Sequence, residues 1–481
     1  MASRILFLIF ILSTVLAGQT KPPQPVLPIP SRAQFEWQKL EYYAFIHFGM
    51  NTFTGHEWGE GRAPATEFNP TAFDARQWAR VVRDAGMKGI IITAKHHDGF
   101  ALWPTATTEY SVNSAKWRDG KGDVLKELSA ACKEFGLKFG VYISPWDRNH
   151  PLYGTPEYNE IYKQQWREVL SNYGEVFEAW LDGANDGKKP MKYDFDGFFR
   201  TIRQGTPNAV IFSDAGPGAR WIGNENGIAG ETNWSTRNNE GTLPGKADAA
   251  RLNTGDENGT SWIPGECDVS IRPGWFYHKE EDTKLKSVEK LMEIWLGSVG
   301  RNCNLLLNIG VDRLGLVNNN DIARLMDFKR ARETTFGKTI IIPSRITASN
   351  TRGNSRTFSP RNVLDDSFGT YWATDDAVTS ATLTLEFTNE VEVNAAMIQE
   401  NIALGQRVKK FSIQGWNGSE FVTVLRKTTI GYKRIVQFPA TKTKRLRISF
   451  EAAKSSPVIS EVKVFNLKPL LSTGSPEIRG R

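Results

Sequence analysis

Glu178-Ala179-Trp180-Leu181-Asp182-Gly183 is a mostly apolar run that stops at an aspartate and a glycine. It reads as a buried strand with a carboxylate at its tip. A charged group there costs burial energy and adds little to packing, so its placement points to chemistry. Runs of the same form recur along the chain: Tyr43–Phe48, Gly89–Ala94, Leu137–Ser144, Ala209–Ser213, Cys267–Ile271 and Asn304–Ile309. Between them lie stretches that read as helices: 74–84, 123–135, 155–172 with Thr155 as N-cap and Pro156 in the first turn, 193–204, 281–299 and 319–334. Continuously apolar strands alternating with helices indicate a parallel sheet covered on both faces. About seven such repeats over some 300 residues favour an α/β fold of the (β/α)8 barrel type over an open doubly wound sheet. No Gly-x-Gly-x-x-Gly follows the first strand, which weighs against dinucleotide binding.

The strand ends carry the polar residues. The first ends at His47, the second at Lys95-His96-His97-Asp98-Gly99, and the third at Tyr142 and Ser144-Pro145-Trp146-Asp147. The fourth ends at Asp182 and the fifth at Asp214. In a barrel these ends converge on one face, where active sites lie. Three of the chain's 6 histidines fall there, a concentration that chance does not explain.

The chain has 481 residues, which is long for one domain. Residues 1–20 read as a signal peptide, with Arg4, an apolar core from Ile5 to Leu12 and a Val15-Leu16-Ala17 cleavage site. They predict export to the periplasm or the exterior, and no other segment reads as transmembrane. Residues 21–337 form the expected barrel. After Gly337 the pattern changes to short alternating strands with no convincing helix, so 338–467 reads as an antiparallel β-sandwich. Residues 468–481 read as a polar tail. The net charge of +7 is spread among acids, which fits a solvated surface better than a nucleic-acid partner. Cys132, Cys267 and Cys303 cannot form a full disulfide framework and are expected as buried thiols. The sequence sets no oligomeric state.

Two carboxylates flanking a scissile bond are the requirement of glycoside hydrolysis. Asp182 is the first candidate, as nucleophile. For the acid/base, Glu225 in the Arg220–Glu225 loop, Glu231 and Glu266 compete on the residues alone. His96 and His97, adjacent on a strand, would point to opposite faces, which suits sugar hydroxyls better than one metal ion. No metal site is therefore expected. Trp58 and Trp275 are candidate plates for a sugar ring, and Glu57 a hydroxyl acceptor. Ser213 lacks a nucleophile elbow.

Taken together, FIHFG (45–49), EW (57–58), AKHHDGFALWP (94–104), GVYISPWDR (140–148), WLDG (180–183), IFSDAGP (211–217), RWIGNE (220–225), ECDVSIRPGWFYH (266–278) and SVGRNCNLLLNI (298–309) resemble α-L-fucosidases of glycoside hydrolase family 29. The resemblance implies a (β/α)8-like barrel and retaining hydrolysis of terminal α-L-fucose without a cofactor. Carried over by position, it makes Asp182 the nucleophile and Glu225 the acid/base. It makes His47, Glu57, Trp58, His96, His97, Tyr142, Trp180 and Trp275 fucose contacts. RWIGNE resembles the subgroup acting on α-1,3/1,4-linked fucose in branched, Lewis-type glycans, with fucosylated oligosaccharides or glycoproteins as partners. The loop 230–245, with Trp234, Asn238 and Glu240, is the candidate contact for the branching galactose. Phe358-Ser359-Pro360, Asn362–Asp365, Tyr371–Thr374 and Val458–Phe465 resemble a discoidin-like (factor 5/8 type C) domain, in which Trp416 and Tyr432 are a candidate platform. The competing expectations are a catalytically silent fucose-binding lectin, a fucosidase of broader specificity including α-1,2 linkages, and a metal hydrolase built on His96 and His97.

Overall fold

The structure is a computed structural model that describes residues 20–239, 242–337 and 340–467. The expected signal peptide (Thr20 apart), the tail 468–481 and Glu240 lie outside these residues. Among the described residues no helix is long and apolar enough to cross a membrane.

Eight parallel strands close into a barrel: β1 (Tyr42–His47), β2 (Gly89–Lys95), β3 (Lys138–Ile143), β4 (Glu178–Trp180), β5 (Val210–Ser213), β6 (Ala219–Trp221), β7 (Gly265–Ser270) and β8 (Cys303–Gly310). Each pairs with its neighbours in chain order, and β8 pairs back to β1. The alternation of each strand divides two cores. Ala44, Ile46, Ile90, Ile92, Val141, Ala179, Leu305 and Leu307 face the helices. Tyr43, Phe45, Ile91, Tyr142, Trp180, Phe212 and Leu306 fill the barrel interior. The decisive stretch therefore sends Glu178, Trp180 and Asp182 inward and Ala179 and Leu181 outward.

The helices begin where short acids can hold free N–H groups: Asp74, Asp123 and Asp194 cap Ala75–Asp84, Val124–Phe135 and Phe195–Gly205. The cap expected at Thr155 is absent. That helix runs Tyr158–Asn172, and Thr155 donates instead to the Leu152 carbonyl within the preceding turn. The helix expected over 281–299 is a short turn at Lys279–Glu281 and a helix at Val288–Gly297. Arg32–Gln38 closes the barrel floor, where Trp37 packs against Tyr43.

The largest departure from the sequence reading is β6. Arg220 and Trp221 read as the start of the Arg220–Glu225 loop. Arg220 is nevertheless fully buried, donating to the carbonyls of Leu252, Ile263 and Trp234 and to Asn233 Oδ1. Those acceptors satisfy the guanidinium, so the strand can hold it.

The C-terminal domain is one all-β body. Two 20-residue strands, Ala381–Glu400 and Arg434–Ala453, run antiparallel with breaks in register at 386/391 and 393/395. With their neighbours they wrap a core that includes Trp372, Leu383, Phe411, Ile448 and Phe450. Its Thr428–Arg434 segment is stitched to the barrel. Thr429 Oγ1 accepts from the Asn233 amide at 2.8 Å, Gln406 pairs with the backbone of Asn233 and Ser235, and Asn302 pairs with Lys433 and Tyr432. Glu231 bridges Arg301, Lys427 and Arg434 across the join. The three cysteines are buried free thiols, as expected.

Candidate active site

A pocket of about 370 Å³ opens at the C-terminal ends of the barrel strands, and Asp182 and Glu225 both line it. Asp182 follows β4 directly. Its Oδ1 accepts the Ala184 amide at 2.6 Å, and its Oδ2 accepts the Tyr142 hydroxyl at 3.2 Å. The side chain stays 26% exposed, so a ligand can reach it. Glu225 sits in the turn after β6. Burial, then the charges of Asp182 and Glu57, raise its pKa above the usual carboxylate range, against a hydrogen bond from the Trp275 side chain. One carboxylate thus accepts two hydrogen bonds, and the other is pushed toward the acid form.

Three neutral imidazoles line the wall. Burial lowers the His47 pKa to about 3, and it lowers those of His96 and His97 as well. Their partners fix the tautomers. The Asn308 amide nitrogen donates to Ser270 Oγ and the Trp275 carbonyl, so its oxygen accepts from His47 Nδ1 at 2.9 Å. Ser144 donates to the Trp146 carbonyl and therefore accepts from His97 Nδ1 at 2.7 Å. Asn51 Nδ2 donates to the Glu57 carbonyl and approaches His96 Nδ1 at 3.4 Å, leaving the proton on Nε2. The pocket is thus offered two imidazole acceptors and one donor. His97 Nε2 lies 3.8 Å from Asp182 Oδ2.

Aromatic rings supply the rest of the wall. Trp180 stacks on Phe212 at 4.2 Å and 13°, and its indole donates to Glu266 at 2.8 Å. Trp275 lies 5.0 Å from the His47 ring. Trp58, 60% exposed, forms the lip against His97 and Trp146. Polar hydroxyl partners beside flat apolar faces are the requirements of a sugar ring.

A family model described as alpha-L-fucosidase matches residues 30–331, and one described as F5/8 type C domain matches residues 345–462. The chain belongs to the α-L-fucosidase family, glycoside hydrolase family 29. It is a glycoside hydrolase. It is 45% identical over 452 residues to a putative alpha-L-fucosidase 1 of Oryza sativa subsp. japonica, covering 93% of this chain and 87% of that one. Among solved structures, a putative alpha-L-fucosidase from Bacteroides thetaiotaomicron superposes with a TM-score of 0.88 at 38% identity, covering 93% of this chain and 99% of the other. A Ruminococcus gnavus family 29 fucosidase in complex with fucose gives 0.87 at 32%, covering 94% and 97%.

Of the candidate fucosidase residues, Asp182, Glu225, His47, Trp58, His96, His97, Tyr142, Trp180 and Trp275 all line the one pocket. Glu57 does not. Its carboxylate takes the amides of Trp275 and Phe276 at 2.8 and 3.2 Å and His278 Nε2 at 2.7 Å, so it clamps the loop that carries Trp275. The three competing glutamates separate cleanly. Glu231 is at the domain join and Glu266 is buried in the barrel interior, which leaves Glu225 in the pocket. His96 and His97 do not face opposite ways. Between Thr93 and Lys95 the register with β3 slips, the strand ends, and both rings turn to the pocket with centroids 4.1 Å apart.

The loop expected to meet a branching sugar lies mostly elsewhere. Trp234 is buried beneath Lys454 of the sandwich, and Asn238 accepts the Thr260 amide. Gly245, at its end, and Ala247 just beyond it do line the pocket. Tyr432 is no platform. It is buried and stacked on Phe368 at 5.1 Å, while Arg445 covers Trp416 at 4.2 Å. Sequence reasoning missed Trp221, Asp268 and Asn308. Asp268 accepts the Trp221 indole at 2.8 Å, and burial with the Glu225 charge raises its pKa far above the usual range. An acid two residues from Glu266 in an apolar strand was the available signal.

Proposed function

We propose that this α-L-fucosidase is an exported, exo-acting enzyme that removes α-1,3/1,4-linked fucose from branched glycans by double displacement. The observation that carries the mechanism is the unequal treatment of two carboxyls in one pocket: Asp182 is bonded by donors, and Glu225 is pushed toward its acid form. Asp182 attacks the anomeric carbon. The glycosidic oxygen leaves with the proton of Glu225, giving a fucosyl ester on Asp182 and an ionised Glu225. Esterification removes the Asp182 charge, one of the causes that raise the Glu225 pKa, so Glu225 is the better base in the second step. It takes a proton from water, whose oxygen attacks the same carbon and frees Asp182. The two faces of inversion cancel, and fucose departs with its original configuration.

His47 and His97 accept from sugar hydroxyls through Nε2, and His96 donates. The fucose-bound relative from Ruminococcus gnavus supports fucose as the ligand of this pocket. The linkage preference rests on the RWIGNE segment (220–225) that leads into Glu225. Fucose release from a Lewis-type trisaccharide, measured beside release from 2′-fucosyllactose, tests it. Release from the first alone fits the proposal, and equal release from both removes the linkage preference. Proton NMR of the first-formed fucose tests retention.

A further inference from the structure

Below the pocket lies a second pair of carboxyls that the reaction does not use. Glu178 opens β4 and Glu266 lies on β7, and both are fully buried inside the barrel. Glu266 receives two donors, and the Glu178 carboxyl stands beside it. Trp180 Nε1 gives to Oε1 at 2.8 Å, the Tyr43 hydroxyl gives to Oε2, and the Glu178 carboxyl is bonded to it as well. Glu178 Oε2 accepts from Trp37 Nε1 at 2.7 Å, while its buried Oε1 receives no donor among the described residues. Two ionised carboxylates cannot hydrogen-bond each other, so one proton must stand between them.

We propose that Glu178 carries a permanent proton and donates it to an ionised Glu266, and that this pair positions Trp180, the pocket wall two residues from Asp182. Three donors, Glu178 and Trp180 of β4 and Tyr43 of β1, then converge on one buried anion, whose Oε1 holds the Trp180 indole against Phe212. Glu178 and Glu266 are positioning residues. Neither lines the pocket. Burial and the Glu266 charge raise the Glu178 pKa well above its ordinary value; burial raises that of Glu266 too, but the hydrogen bonds from Glu178, Tyr43 and Trp180 oppose it there. The other titratable groups acting here are Tyr43, held neutral by burial, and Cys267 and Asp268 on β7.

The activity arm rests on the fucosidase reading, but the stability arm does not. Glu178→Gln keeps a donor at the same place, whereas Glu178→Ala removes it. With an aryl α-L-fucoside, Glu178→Gln should stay within about threefold of the parent kcat. Glu178→Ala should lose more than about tenfold in kcat, the scale of a misplaced wall. Equal losses in both variants, or none in Glu178→Ala, would overturn the positioning role. Thermal melts from pH 5 to 9 test the proton itself. A group whose folded pKa is raised stabilises most below its unfolded value and loses that contribution as pH rises through the folded one. The parent Tm should therefore fall against that of Glu178→Gln as pH rises. Parallel curves would refute the buried proton even if the protein proved to have no fucosidase activity.

Discussion

Asp182 and Glu225 face one pocket but are held by different means. Asp182 extends β4, whose neighbours β3 and β5 fix the backbone, and its carboxylate is bonded to Tyr142 and to the Ala184 amide. Its position belongs to the barrel alone. Glu225 follows a three-residue strand, and the chain a few residues beyond it is pinned by the C-terminal domain through Glu231, Asn233 and Ser235. The nucleophile is placed by sheet register, whereas the acid/base is placed by a loop whose far end another domain holds. On the proposed mechanism, a nucleophile gains from a rigid strand, and a group that must give and take a proton gains from a site whose field can change during the cycle.

The largest expected effect breaks the strand side. Asp182→Asn keeps an acceptor for the Ala184 amide and removes the nucleophile, so kcat should fall by more than about 10⁴-fold with an unchanged circular dichroism spectrum. Activity within tenfold of the parent would move the nucleophile elsewhere.

Glu225→Gln comes next. It should cost about 10²–10⁴-fold on a glycan. An aryl fucoside whose leaving group needs no proton should lose far less in the first step, and azide should rescue the second. Equal losses on both substrates would remove Glu225 as the acid.

The pH profile sharpens the contrast. Glu225 must begin protonated, and its pKa is raised, so the alkaline limb of kcat/KM reports it: activity holds below that pKa and falls as pH rises through it. Glu57→Gln removes one charge that raises it, so the limb should move to lower pH. A limb that stays in place would assign it to another group.

The smallest effect lies at the join. Thr429→Val leaves the buried Asn233 amide without an acceptor, at a cost of about 1–3 kcal/mol. Any loss of turnover, a few-fold at most, should appear in the Glu225-dependent step and not in nucleophile labelling by a fluorinated fucoside.

The strand tips were legible in the sequence because parallel strands are apolar throughout and stop at their functional residues. His47, Tyr142, Asp182 and Asp214 stand out on that ground alone. Glu225 was only one of three candidates until the fold separated them, because a glutamate in a polar segment carries no signature of its surroundings. The alternation rule failed at His96 and His97, where a slip in register and the end of the strand cancel the period of two. It also could not show β6, whose Arg220 finds its acceptors on segments that follow far along the chain. The clamp that Glu57 makes on Trp275 to His278 was not legible, because those partners lie more than 200 residues away.

The stitching of Asn233, Ser235 and Asn302 to the C-terminal domain also bears on how the molecule comes apart. These are buried main-chain and amide groups whose hydrogen-bond partners lie on the other body. Loss of either body breaks these hydrogen bonds and opens the buried join to solvent, so neither has much to gain by persisting alone. A calorimeter should therefore record one endotherm rather than two, and a protease that nicks the sandwich should inactivate a site it never touches.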